Sequence, residues 1–386
     1  MNRRLLYIII YIAGFISLSA CHRHDLPEPQ EKARRTVIVY MMAENTLSRF
    51  AYYDSTEMAK ATLDIPADCN LLLYKDDASL PTITRMNSET GNKLWKKYKY
   101  DQDSADSTVM LRTLTELVRK FPSEHYALVL WSHASGWIPK RKTIGVDNNR
   151  NSSNSDFGTE MNITTLRGVL EQLPHMDFIL FDACDMQNIE VAHELRNTTD
   201  YIIGSPSEIP GNGAPYDRIM SAMMQGDAIE IAEQYYQHYE NGAGVALSVV
   251  DCSMIDSLAE ITAPLIEKVW SGRKSIDTDN IQYYVPFEST NKPDGQDIRG
   301  MLHSVLPDST YQQWEKTLLQ AIPWHKATNS WTTIFRGSKH CTLTDPDHYS
   351  GLSMFVPQEK YEPYGWNEAF RQTSWYQAAR WDRTGW

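Results

Sequence analysis

The sequence predicts an α/β fold with a mostly parallel central sheet, helices on both faces, and a C-terminal subdomain. Three observations support this prediction. Short, continuously apolar segments recur up to about residue 252, and such strands are typical of a sheet buried on both faces. These segments alternate with segments of helical periodicity, which favours parallel pairing. The 386 residues are too many for one small core, so we expect a second unit beyond residue 253.

The individual elements follow from the residue patterns. Apolar, β-branched runs predict strands at residues 36–43, 70–77, 126–131, 177–182, 201–205 and 245–251. Apolar residues at a spacing of three and four predict helices at residues 107–121, 163–173, 188–195, 228–240 and 257–270. Asn162 is suited to cap the second of these helices. Beyond residue 271, where Trp, Pro and polar loops are frequent, we predict one more strand within 349–358.

Composition narrows the classes of function. The hydrophobic content of 42% and charged content of 22% are ordinary for a globular protein. The net charge is −12, and no basic patch is present, so we do not expect nucleic acid as a partner. The 11 Trp and 21 Tyr could mark carbohydrate or peptide surfaces, but core packing is the favoured interpretation.

The N-terminus has the layout of a secretory signal. Arg3 and Arg4 precede an apolar run over residues 5–18, which is too short for a comfortable membrane span. The sequence LSAC at residues 18–21 resembles the bacterial lipoprotein signal, in which the cysteine is lipidated and becomes the mature N-terminus. An ordinary signal peptide or an N-terminal anchor is the alternative.

The lipoprotein interpretation fixes the expected location of the protein. Residues 1–20 would be removed, and Cys21 would carry the lipid that holds the chain to a membrane. Residues 21–35 are polar, contain two prolines, and are expected to form a flexible tether. We therefore expect the protein in the bacterial cell envelope, lipid-anchored at the outer membrane or cell surface or facing the periplasm.

The remaining cysteines give no sign of a metal site. Cys69, Cys184, Cys252 and Cys341 have long, irregular spacings without a C-x-x-C pair, which argues against zinc and against a dense disulfide framework. We favour buried free thiols, although one disulfide among three of these residues stays open. The histidines do not form a metal-binding cluster, and we predict no metal and no other cofactor.

Two predicted strands end on residues suited to nucleophilic catalysis. His133 follows the strand at 126–131, and Cys184 follows the strand at 177–182. Functional residues collect at the carboxyl ends of parallel strands. A thiol needs a nearby base to be a good nucleophile near neutral pH, and histidine suits this role. The alternatives are an inert core thiol and a histidine bonded to a backbone carbonyl.

The residues after the histidine are small, which favours acyl transfer. Ala134, Ser135 and Gly136 leave the backbone open to a substrate carbonyl. Acyl transfer builds an oxyanion that backbone N–H groups can stabilise. We predict the N–H groups of Ala134 and Cys184 as the oxyanion hole.

Four segments resemble the clostripain family of cysteine peptidases, in the wider caspase–gingipain clan. They are TVIVYMMAENTL (36–47), LVLWSHASGW (128–137), DFILFDACDMQNIEVAHEL (177–195) and GSPSEIPGNGAPY (204–216). The resemblance implies a caspase-like sheet in a catalytic domain over residues 36–252, with a C-terminal subdomain over 253–386. It also implies His133 as base and Cys184 as nucleophile.

The same resemblance implies an endopeptidase that cleaves protein or peptide substrates after Arg or Lys. Family members place an acid two residues before the cysteine, where this chain has Asp182, and a buried carboxylate suits a cationic guest. Capping of a turn is the alternative role for Asp182. Glu208, in the loop after the next strand, is a second candidate for the S1 pocket.

Activation by self-cleavage between the histidine and the cysteine is a further property of the family. The basic, polar linker makes Lys142 and Arg150 candidate cleavage positions, although a solvated loop is an equal alternative. Some family members use calcium, but residues 147–156 lack the spacing of a calcium loop. We therefore expect no metal in this segment.

Two departures from the family pattern keep other functions open. The family usually has Gly after the histidine, where this chain has Ala134, and an apolar residue after the cysteine, where it has Asp185. One alternative is a catalytically weak or inactive pseudo-peptidase lipoprotein that binds peptides or glycans. The other is a structural envelope lipoprotein in which Cys184 is buried.

Overall fold

A computed structural model describes residues 32–138, 143–149, 158–284, 295–333 and 339–386. Residues Ala33–Trp386 form one compact unit. The predicted signal sequence, the lipidation site Cys21 and the candidate cleavage positions Lys142 and Arg150 lie outside the described residues. No helix in the described ranges combines the length and apolar character needed to cross a membrane.

The described residues contain fifteen strands, and nine of them build a central sheet. The strands are β1 (Ala33–Met42), β2 (Cys69–Asp76), β3 (Thr82–Asn87), β4 (Gly91–Lys97), β5 (Ser123–Trp131), β6 (Ile144–Asp147), β7 (Thr159–Met161), β8 (Met176–Asp182), β9 (Thr199–Gly204), β10 (Ala246–Asp251), β11 (Gly295–Asp297), β12 (Trp324–Ala327), β13 (Ser330–Thr333), β14 (Lys339–Thr342) and β15 (Ser353–Phe355). The sheet order is β12-β10-β9-β8-β5-β1-β2-β3-β4. The central strands β9, β8, β5, β1 and β2 are parallel, and the two outer strands on each edge pair antiparallel. The predicted α/β class with a mostly parallel sheet is confirmed.

Helices cover both faces of this sheet, as predicted. They are α1 (Ser48–Lys60), α2 (Ser107–Lys120), α3 (Ile163–Leu170), α4 (Ile189–Leu195), α5 (Tyr216–Gln225), α6 (Ala228–Tyr239), α7 (Ile255–Trp270), α8 (Ile298–Val305), α9 (Asp308–Ala321), α10 (Trp366–Phe370) and α11 (Ser374–Ala378). Alternate residues of β1 enter two different cores. Ile38, Tyr40 and Met42 pack with α2, α3, α4 and α7, whereas Val37, Val39 and Met41 pack with α1, α5 and α6. This alternation follows from the period of two in a strand.

The part of the chain beyond residue 253 is joined closely to the part before it. Strand β12 pairs with β10 at the edge of the central sheet, and the Ser353 N–H donates to the Gln187 carbonyl (3.1 Å) just after the cysteine segment. The strand expected within 349–358 is present but shorter, as β15. Both parts therefore contribute strands to one sheet. The division at residue 253 stays a prediction.

Local predictions of capping and of thiol state are also confirmed. The Asn162 side chain accepts a hydrogen bond from the Thr165 N–H (2.9 Å) and caps α3. The cysteines of the described residues, from Cys69 to Cys341, are all free. Burial keeps the Cys252 thiol neutral by raising its pKa well above the ordinary value.

Candidate active site

The sheet brings His133 and Cys184 together at the carboxyl ends of its central strands. Strands β5 and β8 are adjacent and parallel, and Trp131 and Asp182 are partners in their register. His133 and Cys184 each follow by two residues, so both lie just beyond the carboxyl ends of neighbouring strands. Both are partly buried, and both line a single pocket of about 390 Å³. A substrate bound in this pocket could contact both side chains.

Thr46, in the turn after β1, holds the histidine ring. Its Oγ1 lies 2.8 Å from His133 Nε2. Asn45 fixes this turn, because its Nδ2 donates to the carbonyls of Met42 (3.0 Å) and Val146 (2.8 Å). Sequence reasoning missed Thr46, although it lies within the first of the four family-like segments.

After His133, the backbone N–H of Ala134 points away from the neighbouring strand β6. The Ser135 N–H donates to the Thr143 carbonyl (3.2 Å), and the Gly145 N–H donates to the His133 carbonyl (3.0 Å). Ala134 lies between these two bonds, so its own N–H is not used by this pairing. In the described part of the chain, the non-glycine residues with positive φ do not include Ala134. The position therefore does not require the glycine that is usual in the family.

The segment after Cys184 is held by the loop that follows β9. The Asp185 N–H donates to the Ser207 carbonyl (2.9 Å), and the Gln187 N–H donates to the Ser205 carbonyl (3.0 Å). Asp185 has φ of 60°, a left-handed conformation that aspartate adopts more readily than most residues. An aspartate directly after Cys184 therefore has a conformational reason to be there.

Gly136 allows the histidine and cysteine loops to approach closely. Its φ is +77°, and a Cβ at this position would lie 2.9 Å from Asn188 Nδ2 and 3.0 Å from the Asp185 carbonyl oxygen. Asn188 itself donates to that carbonyl (2.9 Å) and caps α4 through the Val191 N–H (3.0 Å). Only glycine combines this φ with this clearance.

The two predicted specificity acids line the same pocket as His133 and Cys184. Asp182 and Glu208 are each 3% exposed. Asp182 accepts hydrogen bonds from the Tyr216 hydroxyl (2.7 Å) and the Ala214 N–H (2.9 Å). The bond from Ala214 also agrees with the alternative role of Asp182 in fixing a turn. Burial raises the pKa of the Asp182 carboxyl, although these hydrogen bonds oppose the shift.

A separate acidic cluster was not expected from the sequence. Glu44, Asp76 and Asp101 bring carboxylate oxygens within 4.8 Å of one another. Carboxylate oxygens are the ligands that hard divalent cations such as Ca²⁺ prefer, so these residues could hold one. They come from three distant segments, and for that reason no motif spacing reveals them. Burial is the main cause that raises the pKa of Asp76 to about 9, and the negative charges of Asp147 and Asp101 add to this shift.

Comparisons with known proteins agree with this fold. The model of the clostripain family matches residues 39–386. A secreted C11 cysteine protease from Bacteroides thetaiotaomicron, solved with an irreversible peptide inhibitor, has a TM-score of 0.78 and 32% identity. That alignment covers 90% of this chain and 99% of the other. An inactive zymogen of a C11 protease from Parabacteroides distasonis has a TM-score of 0.75 and 26% identity, over 90% of this chain and 98% of the other. No curated protein sequence matches this chain.

Proposed function

The chain belongs to the clostripain family of cysteine proteases, and on this premise we propose that it is an endopeptidase specific for Arg or Lys at P1. His133 serves as the base and Cys184 as the nucleophile. One observation supports this proposal above all. The candidate dyad and two buried carboxylates, Asp182 and Glu208, line one pocket.

The proposed reaction starts with transfer of the thiol proton to His133. The contact of Thr46 with Nε2 leaves Nδ1 as the ring nitrogen that can accept this proton. The thiolate then attacks the scissile carbonyl, and the N–H groups of Ala134 and Cys184 stabilise the oxyanion. The imidazolium protonates the leaving amine, which gives an acyl-enzyme. Water, deprotonated by the same imidazole, hydrolyses the thioester and restores the thiol.

The pocket walls suit a long basic side chain. Leu47, Phe50, Trp131 and Ile209 line the pocket together with the two acids. The aliphatic stem of Arg or Lys can pack on these apolar side chains while its charge faces the carboxylates. A cation also offsets the cost of a buried negative charge at Asp182.

Turnover of fluorogenic peptides with Arg, Lys or Asp at P1 tests this proposal. We expect residues 22–386, under reducing conditions, to cleave after Arg or Lys, and Cys184→Ala to abolish the activity. Activity that survives this substitution would contradict the assignment of the nucleophile. Preference for Asp would contradict the assignment of Asp182 and Glu208.

Self-cleavage in the linker is the proposed route of activation. Strand β6 pairs with Ala134 in the histidine loop and also with β7. Lys142 lies in the sequence between Ala134 and β6, and Arg150 lies between β6 and β7. A cut at either position could therefore alter the proposed oxyanion hole. Mass spectrometry of the active protein should locate a cut after Lys142 or Arg150, and Cys184→Ala should remain intact. Full activity of an uncut chain would contradict this route.

We propose that a lipid on Cys21 anchors the protein in the cell envelope. This proposal rests on the N-terminal sequence alone. Metabolic labelling with a radioactive fatty acid should mark the wild type and not Cys21→Ser. Labelling of both proteins to the same extent would contradict this site.

A further inference from the structure

A second buried carboxylate lies close to Asp182, which lines the pocket. Asp54, on α1, is fully buried, and the Trp131 indole N–H donates to its Oδ2 (2.6 Å). A Cβ on Gly213 would lie 2.7 Å from Asp182 Oδ2 and 3.1 Å from Asp54 Oδ2. Both carboxylates therefore approach one point on the pocket wall, since Trp131, Asp182 and Gly213 line the pocket.

The two carboxylates differ in how well their negative charge is stabilised. Asp182 accepts hydrogen bonds from Tyr216 and Ala214, whereas Asp54 Oδ1 has no hydrogen-bond partner within the described residues. Burial and the neighbouring Asp182 together raise the pKa of Asp54 well above its usual range. In the described part of the chain, no Lys or Arg contributes to the electrostatics of either carboxyl.

The other titratable groups around Asp54 do not supply a positive charge. Glu57, on the same helix, is an acid whose pKa is raised by burial and by Asp217, against a smaller opposing effect of Lys60. Tyr216 and Tyr235 face the pair from α5 and α6, and burial raises the pKa of both phenols. Tyr239 behaves in the same way. These phenols are neutral at physiological pH, so the pair titrates without a cation beside it.

We propose that Asp54 and Asp182 share one proton in the free pocket and that a basic P1 side chain displaces this proton to solvent. This inference rests on the proposed S1 pocket. The geometry supports it, because two buried carboxylates near one point cannot both ionise without a compensating charge. A guanidinium or ammonium group supplies that charge. The exchange is balanced, since one cation enters and one proton leaves.

The consequence is a specificity that depends on pH through Asp54, a residue that need not contact the substrate. As the pH rises, the displaced proton has a lower tendency to return, and affinity for a basic P1 side chain increases. The increase should approach about tenfold per pH unit where one full proton is released. Asp54 therefore acts as a positioning residue, through the charge state of Asp182.

Calorimetric titration of the Cys184→Ala protein with an Arg-terminated peptide tests this inference. Measurements in two buffers with different ionisation enthalpies give the number of protons released per peptide. We expect release of about one half to one proton at pH 7, and close to none in Asp54→Asn, Cys184→Ala. The asparagine can still accept the Trp131 hydrogen bond, and His133 is common to both proteins. A peptide with citrulline, the neutral isostere of Arg, is the matched ligand control.

The outcomes separate this inference from the proposed function. If neither protein prefers Arg over citrulline, the S1 assignment itself is wrong. If both prefer Arg but release the same number of protons between pH 6 and 9, Asp54 does not hold the displaced proton. If Asp54→Asn does not fold, the proton release measured with Cys184→Ala alone still tests the inference. Binding of Arg without proton release, and with an affinity independent of pH, would overturn the inference.

Discussion

Removal of the Thr46 hydroxyl tests how the candidate base is held. Thr46→Val keeps the shape of the side chain but removes the oxygen that lies 2.8 Å from His133 Nε2. A typical hydrogen bond contributes about 0.5–1.5 kcal/mol. If the transition state loses this amount, kcat falls by about 2- to 12-fold, since 1.36 kcal/mol corresponds to a factor of ten.

The effect should appear in kcat and not in KM. Thr46 also lines the pocket, but its proposed role is to fix the histidine tautomer and not to bind P1. Thr46→Ser keeps the hydroxyl and serves as the matched control. Steady-state kinetics with an Arg-terminated peptide should show a lower kcat for the valine variant and near wild-type values for the serine variant. An unchanged kcat in Thr46→Val, or an equal loss in both variants, would refute this reasoning.

Three further predictions concern the approach of the loops, the proposed specificity acid and the acidic cluster. Gly136→Ala should lower the free energy of unfolding by about 1–3 kcal/mol, because φ is +77° and Asn188 and Asp185 leave no room for a methyl group. Denaturant titration measures this loss. Gly91→Ala is the control, since Gly91 has a similar φ of +68° but open space around it, and the difference between the two variants separates the steric clash from the backbone strain. Asp182→Asn should lower kcat/KM for Arg peptides by at least about tenfold and spare citrulline peptides; an equal loss for both would mean that Asp182 acts only in the fold. Burial raises the pKa of Asp76 to about 9, so the folded state holds a proton that the unfolded chain loses near pH 4, and stability should fall as the pH rises towards 9. In EDTA-treated protein, Asp76→Asn should flatten this decline, and an equally steep decline in both proteins would contradict the assignment.

The sheet could be predicted because its central strands are long, apolar runs. Segments such as residues 126–131 and 177–182 have no competing helical pattern, and in the structure their parallel register aligns Trp131 with Asp182. The prediction that His133 and Cys184 lie close together therefore depended mainly on β5 and β8 being neighbours in the sheet. The resemblance to a known family supplied their roles.

Helix α1 could not be predicted from the same kind of pattern. Its buried residues are Ala51, Asp54 and Met58, a set that contains a small residue and a carboxylate and gives no clear apolar periodicity. Tyr52 and Tyr53, which are aromatic, are 61% and 41% exposed. The burial of Asp54 depends on Trp131, 77 positions away, and such a contact is decided by tertiary packing.

Apart from the strand within 349–358, the strands of the C-terminal third escaped prediction because they are short. Strand β11 has three residues and β12 has four, which is below the length at which alternation can be recognised. Their pairing depends on partners far away in the chain, such as the Gly295–Phe355 register. The acidic cluster of Glu44, Asp76 and Asp101 escaped prediction for the same reason.

Covalent labelling with a peptidyl-Arg chloromethyl ketone tests the central claim most directly. The reagent needs both a nucleophilic thiol and an S1 pocket that accepts a cation, and peptide mapping identifies the residue that it alkylates. The proposed function predicts one adduct, on Cys184, that forms much faster than with the citrulline analogue and is slowed in Asp182→Asn. Slow labelling that does not distinguish Arg from citrulline, or an adduct on Cys69, Cys252 or Cys341 instead, would contradict it.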